Sequence, residues 1–499
     1  LRAIAARLLQ TLENPILVDG QILQIGLSMG LVLHDKNDTL GPDALLRRAD
    51  LAMYAAKHSG RSQYRIFDLE MERKIHQREH LLNWVKDALR DQQLELHYQP
   101  ILTVEPGKAE GDPRIHEVEA LLRLRDHDGL HNAGEFEAVL DDTQLAIPIG
   151  RFVLDAALSQ LLRWHQAGLQ LHVCVNISPQ HFLHPQFLGD LRDLLERHPQ
   201  CSPEWLVLEL TEHGSELNSQ VARFVVTACR RLGIRVSLDD FGTGSASLTH
   251  LQLLEASAVK IDRSFTHQLF DESADLSITY GLLRTAQMMG LSAVAEGVRT
   301  PRQAQVLAAL GCRKLQGYAI AKPMSAKALE AWLQDWPRLL PWAATLAWQK
   351  AIGRDAIHAM VEHGRSVARA ALGALDDGER QRFGHAEAHR RCALGRWCES
   401  QTGQYGHVPG FRKLMHDHHA FHASLRTIAE APAEDAVAHA HRLKALSQSV
   451  REQFWNLLLH PLPRSRVEAD DEGQAEELQA PPRQPPELPS AMREPEPAR

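Results

Sequence analysis

Eight short apolar runs, most of them followed by an amphipathic stretch, recur between residues 94 and 325 and limit the possible folds more than any other feature of the sequence. They begin near Leu94, His116, Leu171, Leu206, Arg235, Ala258, Ser292 and Lys314. Helix-period segments separate most of them, at Ile149–Trp164, Asn218–Leu232 and Tyr280–Met289. Strands alternating with helices over this length predict an α/β fold, a TIM-like (β/α)8 barrel spanning 93–335. A doubly wound open sheet is the alternative. It usually carries a glycine-rich dinucleotide fingerprint after its first strand, and no such motif stands here.

The rhythm stops on both sides. Residues 1–68 hold an amphipathic start (Leu8, Leu9, Leu12), a strand-like stretch from Ile22 to Leu33 and a helical pattern from Asp43 to His58. Residues 69–92 are highly charged, with Leu81, Leu82, Val85 and Leu89 at helical spacing, and read as a connecting helix. Residues 345–460 read as an all-α bundle. Of the 28 histidines, 12 fall between His358 and His460, which directs the search for a metal site there. Residues 461–499 carry nine of the 25 prolines and almost no large apolar side chains, so a disordered tail is expected.

Composition narrows the function. A net charge of −8 argues against a nucleic-acid-coating surface, and no DNA partner is expected. No apolar run approaches the ~18 residues of a membrane span. Six cysteines in 499 residues form no disulfide framework, which favours reduced thiols and a cytoplasmic location. The first residue is Leu1 rather than Met, so an upstream membrane anchor stays open.

Barrel enzymes place their chemistry at the C-terminal ends of the strands. Here those ends carry Glu119, Asn176, Glu209, Asp239 with Asp240, Lys260 and Glu296, followed by Gln316. A carboxylate among apolar strands carries several kcal/mol of desolvation unless it is paired or metal-bound. Five of them on one rim would repel one another, and divalent cations relieve that repulsion. All-oxygen donors suit Mg²⁺ or Mn²⁺. Two such ions can clamp the attacking and leaving oxygens of a phosphodiester, and Lys260 could hold the attacking water.

These residues carry a resemblance. Tyr98-Gln99-Pro100, Glu119-Ala120-Leu121, Asn176, Glu209-Leu210-Thr211-Glu212, the Asp239–Gly244 loop, Lys260-Ile261-Asp262, Glu296-Gly297-Val298 and Gln316-Gly317-Tyr318 stand in the order of the EAL-type cyclic-di-GMP phosphodiesterases, which residues 94–325 resemble. The resemblance implies hydrolysis of cyclic-di-GMP to linear pGpG and a barrel with one reversed strand. It implies one metal on Glu119, Asn176, Glu209 and Asp239, and a second on Asp239, Asp240 and Glu296. Glu119, Lys260, Asp239 and Glu296 become the catalytic set, with Lys260 at the nucleophilic water. Gln99, Arg123 and Gln316 become substrate contacts, Glu212 a loop support, and a homodimer is expected. Two departures stand out: Arg299 where the family has an acid, and Gly244-Ser245-Ala246-Ser247 where the loop usually reads Gly-Tyr-Ser-Ser. They keep two other readings in play, a catalytically weak cyclic-di-GMP receptor and a zinc-responsive signalling scaffold.

Ser28-Met29-Gly30 and Arg48–Lys57, with Gly60-Arg61, resemble the back half of a GGDEF (diguanylate cyclase) domain, an α+β half-domain without the signature motif, for which no cyclase activity is expected. In the bundle, His418 and His422 lie one helical turn apart, and a thiolate at Cys392 with imidazoles favours Zn²⁺. Cys392-x-Leu394-Gly395-x-Trp397 and Phe411-x-x-Leu414 with His418 and His422 resemble the CZB (chemoreceptor zinc-binding) domain, which uses three histidines and one cysteine. His363 is the choice for the third histidine, with His358 and His389 as rivals. A zinc-held, oxidisable thiolate would let zinc or an oxidant regulate the barrel.

Overall fold

A computed structural model describes residues 1–13, 16–18, 21–23, 25–34, 40–58, 62–104, 113–211, 220–243, 254–267, 269, 273–348, 354–371, 378, 385, 387–430 and 433–459. Glu212, the Gly244–Ser247 loop and the 461–499 tail lie outside these residues.

Eight strands close a barrel: β1 (Leu94–Thr103), β2 (Arg114–Asp126), β3 (His172–Asn176), β4 (Leu206–Thr211), β5 (Arg235–Phe241), β6 (Ala258–Ile261), β7 (Ser292–Ala295) and β8 (Lys314–Gln316). From β2 through β8 every neighbouring pair is parallel. β1 is antiparallel to both of its neighbours, β2 and β8, and so closes the ring in the reverse direction. A parallel pair needs a crossover of about a dozen or more residues, whereas only ten residues separate β1 from β2. β2 also overruns the barrel. Its pairing with β3 ends at Ala120, and its far half folds into a hairpin with Gly129–Asn132.

Amphipathic helices wrap the strands. α1 (Leu69–Arg90) is N-capped by Asp68, whose side chain accepts from the Met71 amide. It docks on the hairpin through Trp84, whose indole donates to Asp126 (3.1 Å). α2 (Ala146–Gln166) buries Val153, Leu154, Ala157, Leu158, Leu161 and Trp164 at helical spacing. Each large apolar side chain there contributes roughly 1.5–3 kcal/mol on leaving water.

The C-terminal region is helical: α5 (Arg354–Ala371), α6 (Ala393–Tyr405), α7 (Pro409–Glu430) and α8 (Ala433–Leu459), numbered after the barrel helices α3 (Ser273–Met288) and α4 (Pro301–Ala309). One apolar core runs through both units. Leu276 and Leu283 of α3 and Val306 and Leu307 of α4 belong to the same buried cluster as Ile357 and Met360 of α5 and Phe454 of α8. The N-terminal segment packs the helix Pro42–His58 on a parallel strand pair, Met29–Leu31 with Tyr64–Ile66. Among the described residues no helix is long and apolar enough to cross a membrane.

Candidate active site

The barrel's register sets the acids facing inward at one end. Lys260 in β6 is almost fully buried, and its ammonium lies 2.7 Å from Glu296, 3.0 Å from Glu209, 3.1 Å from Glu119 and 3.6 Å from Asp239. Carboxylates from four strands or strand ends thus meet around this one cation. Glu119 sits mid-way along β2 rather than at its end, because β2 continues past the barrel; the barrel mouth is where its pairing with β3 stops. The Asn176 amide donates to Glu119 Oε1 (2.7 Å), and the Gln316 amide donates to Glu119 Oε2 (2.6 Å) and Gln99 Oε1 (3.2 Å). Gln99 stands directly opposite Glu119 in the β1–β2 ladder and donates to the Ala321 carbonyl (2.9 Å).

Asp239 and Asp240 are consecutive, so a regular strand would point them to opposite faces. A β-bulge prevents this. The β5–β6 register advances from Leu238↔Val259 to Phe241↔Ile261, three residues against two. Asp240 takes a left-handed φ of 57°, and its amide caps Asp239 Oδ1 (2.9 Å). As a result, ligand atoms of Asp239, Asp240 and Glu296 lie within 4.8 Å of one another, as do those of Glu119, Glu209 and Asp239. After Glu296, the chain passes so close to β8 that a Cβ on Gly317 (φ 154°) would sit 2.2 Å from the Val298 carbonyl oxygen. Only glycine fits there.

The electrostatics follow from burial. Burial pushes Glu209 well above the ordinary carboxylate range and raises Asp239, with Glu119 adding repulsion to both. Glu296 is pushed up to about 8 by burial and by the charges of Asp239 and Glu119. Burial acts on Glu119 in the same sense, but Lys260 and the hydrogen bonds from Gln316 and Asn176 overcome it and hold Glu119 below the usual range. Lys260 is itself raised: burial opposes its charge, and the four carboxylates outweigh burial. Arg123 is buried at 6 % exposure, and its guanidinium donates to the Leu122 carbonyl (2.8 Å). Gln316 Oε1 is buried with no partner among the described residues, which leaves an acceptor beside Glu119 for a ligand.

Residues 82–323 match the family model of the EAL domain. Residues 82–323 are an EAL domain. Residues 1–63 match the diguanylate cyclase GGDEF domain and form part of one. The signaling protein YkoW of Bacillus subtilis is 32% identical over 335 residues, 67% of this chain and 41% of YkoW. The bifunctional diguanylate cyclase/cyclic di-GMP phosphodiesterase MucR of Pseudomonas aeruginosa is 34% identical over 66% of this chain and 47% of MucR. The cyclic di-GMP phosphodiesterase PdeR of Escherichia coli is 31% identical over 66% of this chain and 49% of PdeR. The chain therefore spans less than half the length of these relatives. Among solved structures, the PaMucR phosphodiesterase in complex with c-di-GMP is 36% identical, covering 50% of this chain and 99% of that one, with a TM-score of 0.46. The EAL domain's homologues thus include cyclic-di-GMP phosphodiesterases, and the family implies divalent metals.

The two departures from the family pattern differ in placement. Arg299 follows the EAL domain's Glu296-Gly297-Val298; it is exposed, and its backbone amide is taken by Gln303 Oε1 (2.8 Å) in the capping box that starts α4. It does not touch the acids described above. The Ser245-Ala246 change lies outside the described residues.

In the bundle, Cys392, His418 and His422 come together with ligand atoms within 4.8 Å. Cys392 Sγ lies 3.2 Å from His418 Nε2. His363 is buried and lines the same small cavity as Cys392 and His422, but its Nε2 bonds Ser447 Oγ (3.1 Å) and its ring centre is 6.4 Å from that of His418. His358 is exposed. His389 stacks edge-on against His419, ring centres 4.6 Å apart, outside the Cys392 trio. Ser447 is not legible from sequence as a partner for His363, since it lies 84 residues away on another helix.

Proposed function

We propose that the mouth of the EAL barrel hydrolyses cyclic-di-GMP to linear pGpG with two divalent cations. One observation carries the reading: two buried carboxylates, Glu119 and Glu209, and two half-buried ones, Asp239 and Glu296, converge on the ammonium of Lys260, and Asp240 joins the last two through the bulge. The donors are all oxygen and outnumber the one cation they contact, which fits hard divalent ions. Glu119, Asn176, Glu209 and Asp239 would hold one ion, and Asp239, Asp240 and Glu296 the other. When bound, such ions lower the pKa of water and offset the charge of a phosphodiester. The chain's own groups do the rest. Lys260, fixed on four sides, holds the attacking water in place. Arg123 offers a guanidinium that suits a phosphate oxygen. Gln316 and Gln99, locked to each other and to Glu119, orient the substrate. Water adds to phosphorus, one ester bond to the ribose oxygen breaks, and that oxygen leaves with a proton. The names of MucR and PdeR support this substrate.

Incubating the purified chain with cyclic-di-GMP and Mg²⁺ or Mn²⁺ should yield pGpG, and Glu119→Ala should abolish it. Substrate left intact over hours at high enzyme concentration overturns the reading.

The same proposal extends to the bundle. Cys392, His418 and His422 would bind Zn²⁺, with His363 as the adjacent fourth candidate, and zinc or an oxidant acting on Cys392 would tune the barrel. The core shared by α3 and α5 supports a path between them. Metal analysis should find zinc that Cys392→Ser removes. A pGpG rate unmoved by zinc, oxidant and Cys392→Ser would end the regulatory half of the proposal.

A further inference from the structure

At the end of the barrel opposite Lys260, the interior is polar again. Glu117 of β2 bonds Lys314 of β8, and Arg235 of β5 lies 3.5 Å from its other oxygen. Arg235 also donates to His172 Nδ1 (3.0 Å). Glu117, Lys314 and Arg235 border a cavity of about 110 Å³, together with Ser237, Ser257 and Ser292. That volume is well above the ~10–15 Å³ one water molecule requires. An apolar belt of Ile101, Cys174, Val207 and Val294 crosses the interior between this floor and the mouth. Glu209 borders the cavity from the mouth side, with its charge met by Lys260.

The charges select the ligand. Glu117 is shared by two cations, so the floor keeps one positive charge over. Glu117 faces two cations already, so the floor itself offers no free carboxylate to a metal. Burial and the nearby cations keep His116 and His172 neutral, the latter pushed down to about 4. Ser237 is 2% exposed, and its Oγ has no partner among the described residues. A buried hydroxyl of that kind is disfavoured unless a ligand or water completes it. Arginine, lysine and hydroxyl donors aimed at one volume match the acceptor-only surface of a tetrahedral anion.

We propose that this floor is a binding site for a small inorganic oxyanion of the phosphate or sulfate class, held by Arg235, Lys314 and Ser237. The site is separate from the acidic mouth and does not depend on the hydrolase reading.

The test is calorimetric titration of the full chain with sulfate, and separately with inorganic phosphate, with divalent ions chelated so that the mouth cannot take the anion. One equivalent should bind. Arg235→Gln should weaken binding by about a hundredfold and Ser237→Ala by about tenfold, the two ends of the range for hydrogen bonds to a charged group. Glu119→Gln should leave it unchanged. Should Arg235→Gln fail to fold, Ser237→Ala decides alone, since it keeps the charge and shape of the floor. No saturable binding of either ion, equal affinity in both floor variants, or loss in Glu119→Gln overturns the proposal.

Discussion

The two ends of the barrel interior are built alike and charged oppositely. At the mouth, four carboxylates surround one ammonium, Lys260. At the floor, two cations share one carboxylate, Glu117. Glu119, Glu209, Lys260 and Glu117 are buried and their partners half-buried, and within each group the charges set against one another do not cancel. The difference shows what an eight-stranded barrel allows. Its inward positions are filled from alternate residues of every strand, so a change of layer can reverse the sign of the field over a few residues of the same strand. Glu117 and Glu119 are two apart on β2, yet Glu117 faces Lys314 and Arg235 while Glu119 faces Lys260. An excess of acid calls for cations, and an excess of base calls for an anion.

The comparison can be broken most sharply at the mouth. Glu119→Gln should lower kcat for pGpG formation by on the order of 10²–10³-fold with protein folding intact, because an electrostatic group at the reacting centre is worth that much. Steady-state rates with far-UV circular dichroism check it; a change under about tenfold would place the chemistry elsewhere.

Stability is the next largest effect. Lys260→Met strips the cation on which Glu119, Glu209, Asp239 and Glu296 converge, and metal-free protein should lose about 3–5 kcal/mol. Mg²⁺ should restore much of that loss, whereas the smaller loss expected for Lys314→Met should not respond to Mg²⁺. Urea denaturation with and without Mg²⁺ separates the two ends.

The smallest effect is on the floor's pH dependence. His172 is pushed to about 4 in the folded chain, below the ~6.5 of the unfolded one. The unfolded state therefore binds more protons between those values, and stability falls as pH drops from ~6.5 toward ~4. With the group half exposed the loss is modest. His172→Gln should flatten the curve between pH 7 and 5, and an unchanged slope would remove His172 from the floor's electrostatics.

Much of this was legible in the sequence. The apolar runs mark all eight barrel strands, and the acids, Asn176 and Lys260 stand out by residue type at the ends of those runs. They were legible because strand alternation and the costs of burying charge are local properties. The reversal of β1 came only through the family resemblance, since hydrophobic periodicity carries no direction. The bulge that brings Asp240 beside Glu296 was not legible at all: one extra residue leaves no mark in an alternating pattern. The floor was missed for a different reason. Glu117, Arg235 and Lys314 each sit at the start of an apolar run, where a charged residue reads as a strand boundary, and only ring closure brings β2, β5 and β8 around one space.

The unbroken core between α3, α4 and the C-terminal helices also limits how the protein can be dissected. Part of the barrel's outer wall is roofed by Ile357, Met360 and Phe454, so cutting the chain after Leu340 would turn an interior seam into a greasy, water-facing flank. A barrel released in that way would be prone to stick to its own copies, and any dimer it formed would say little about how the intact molecule associates.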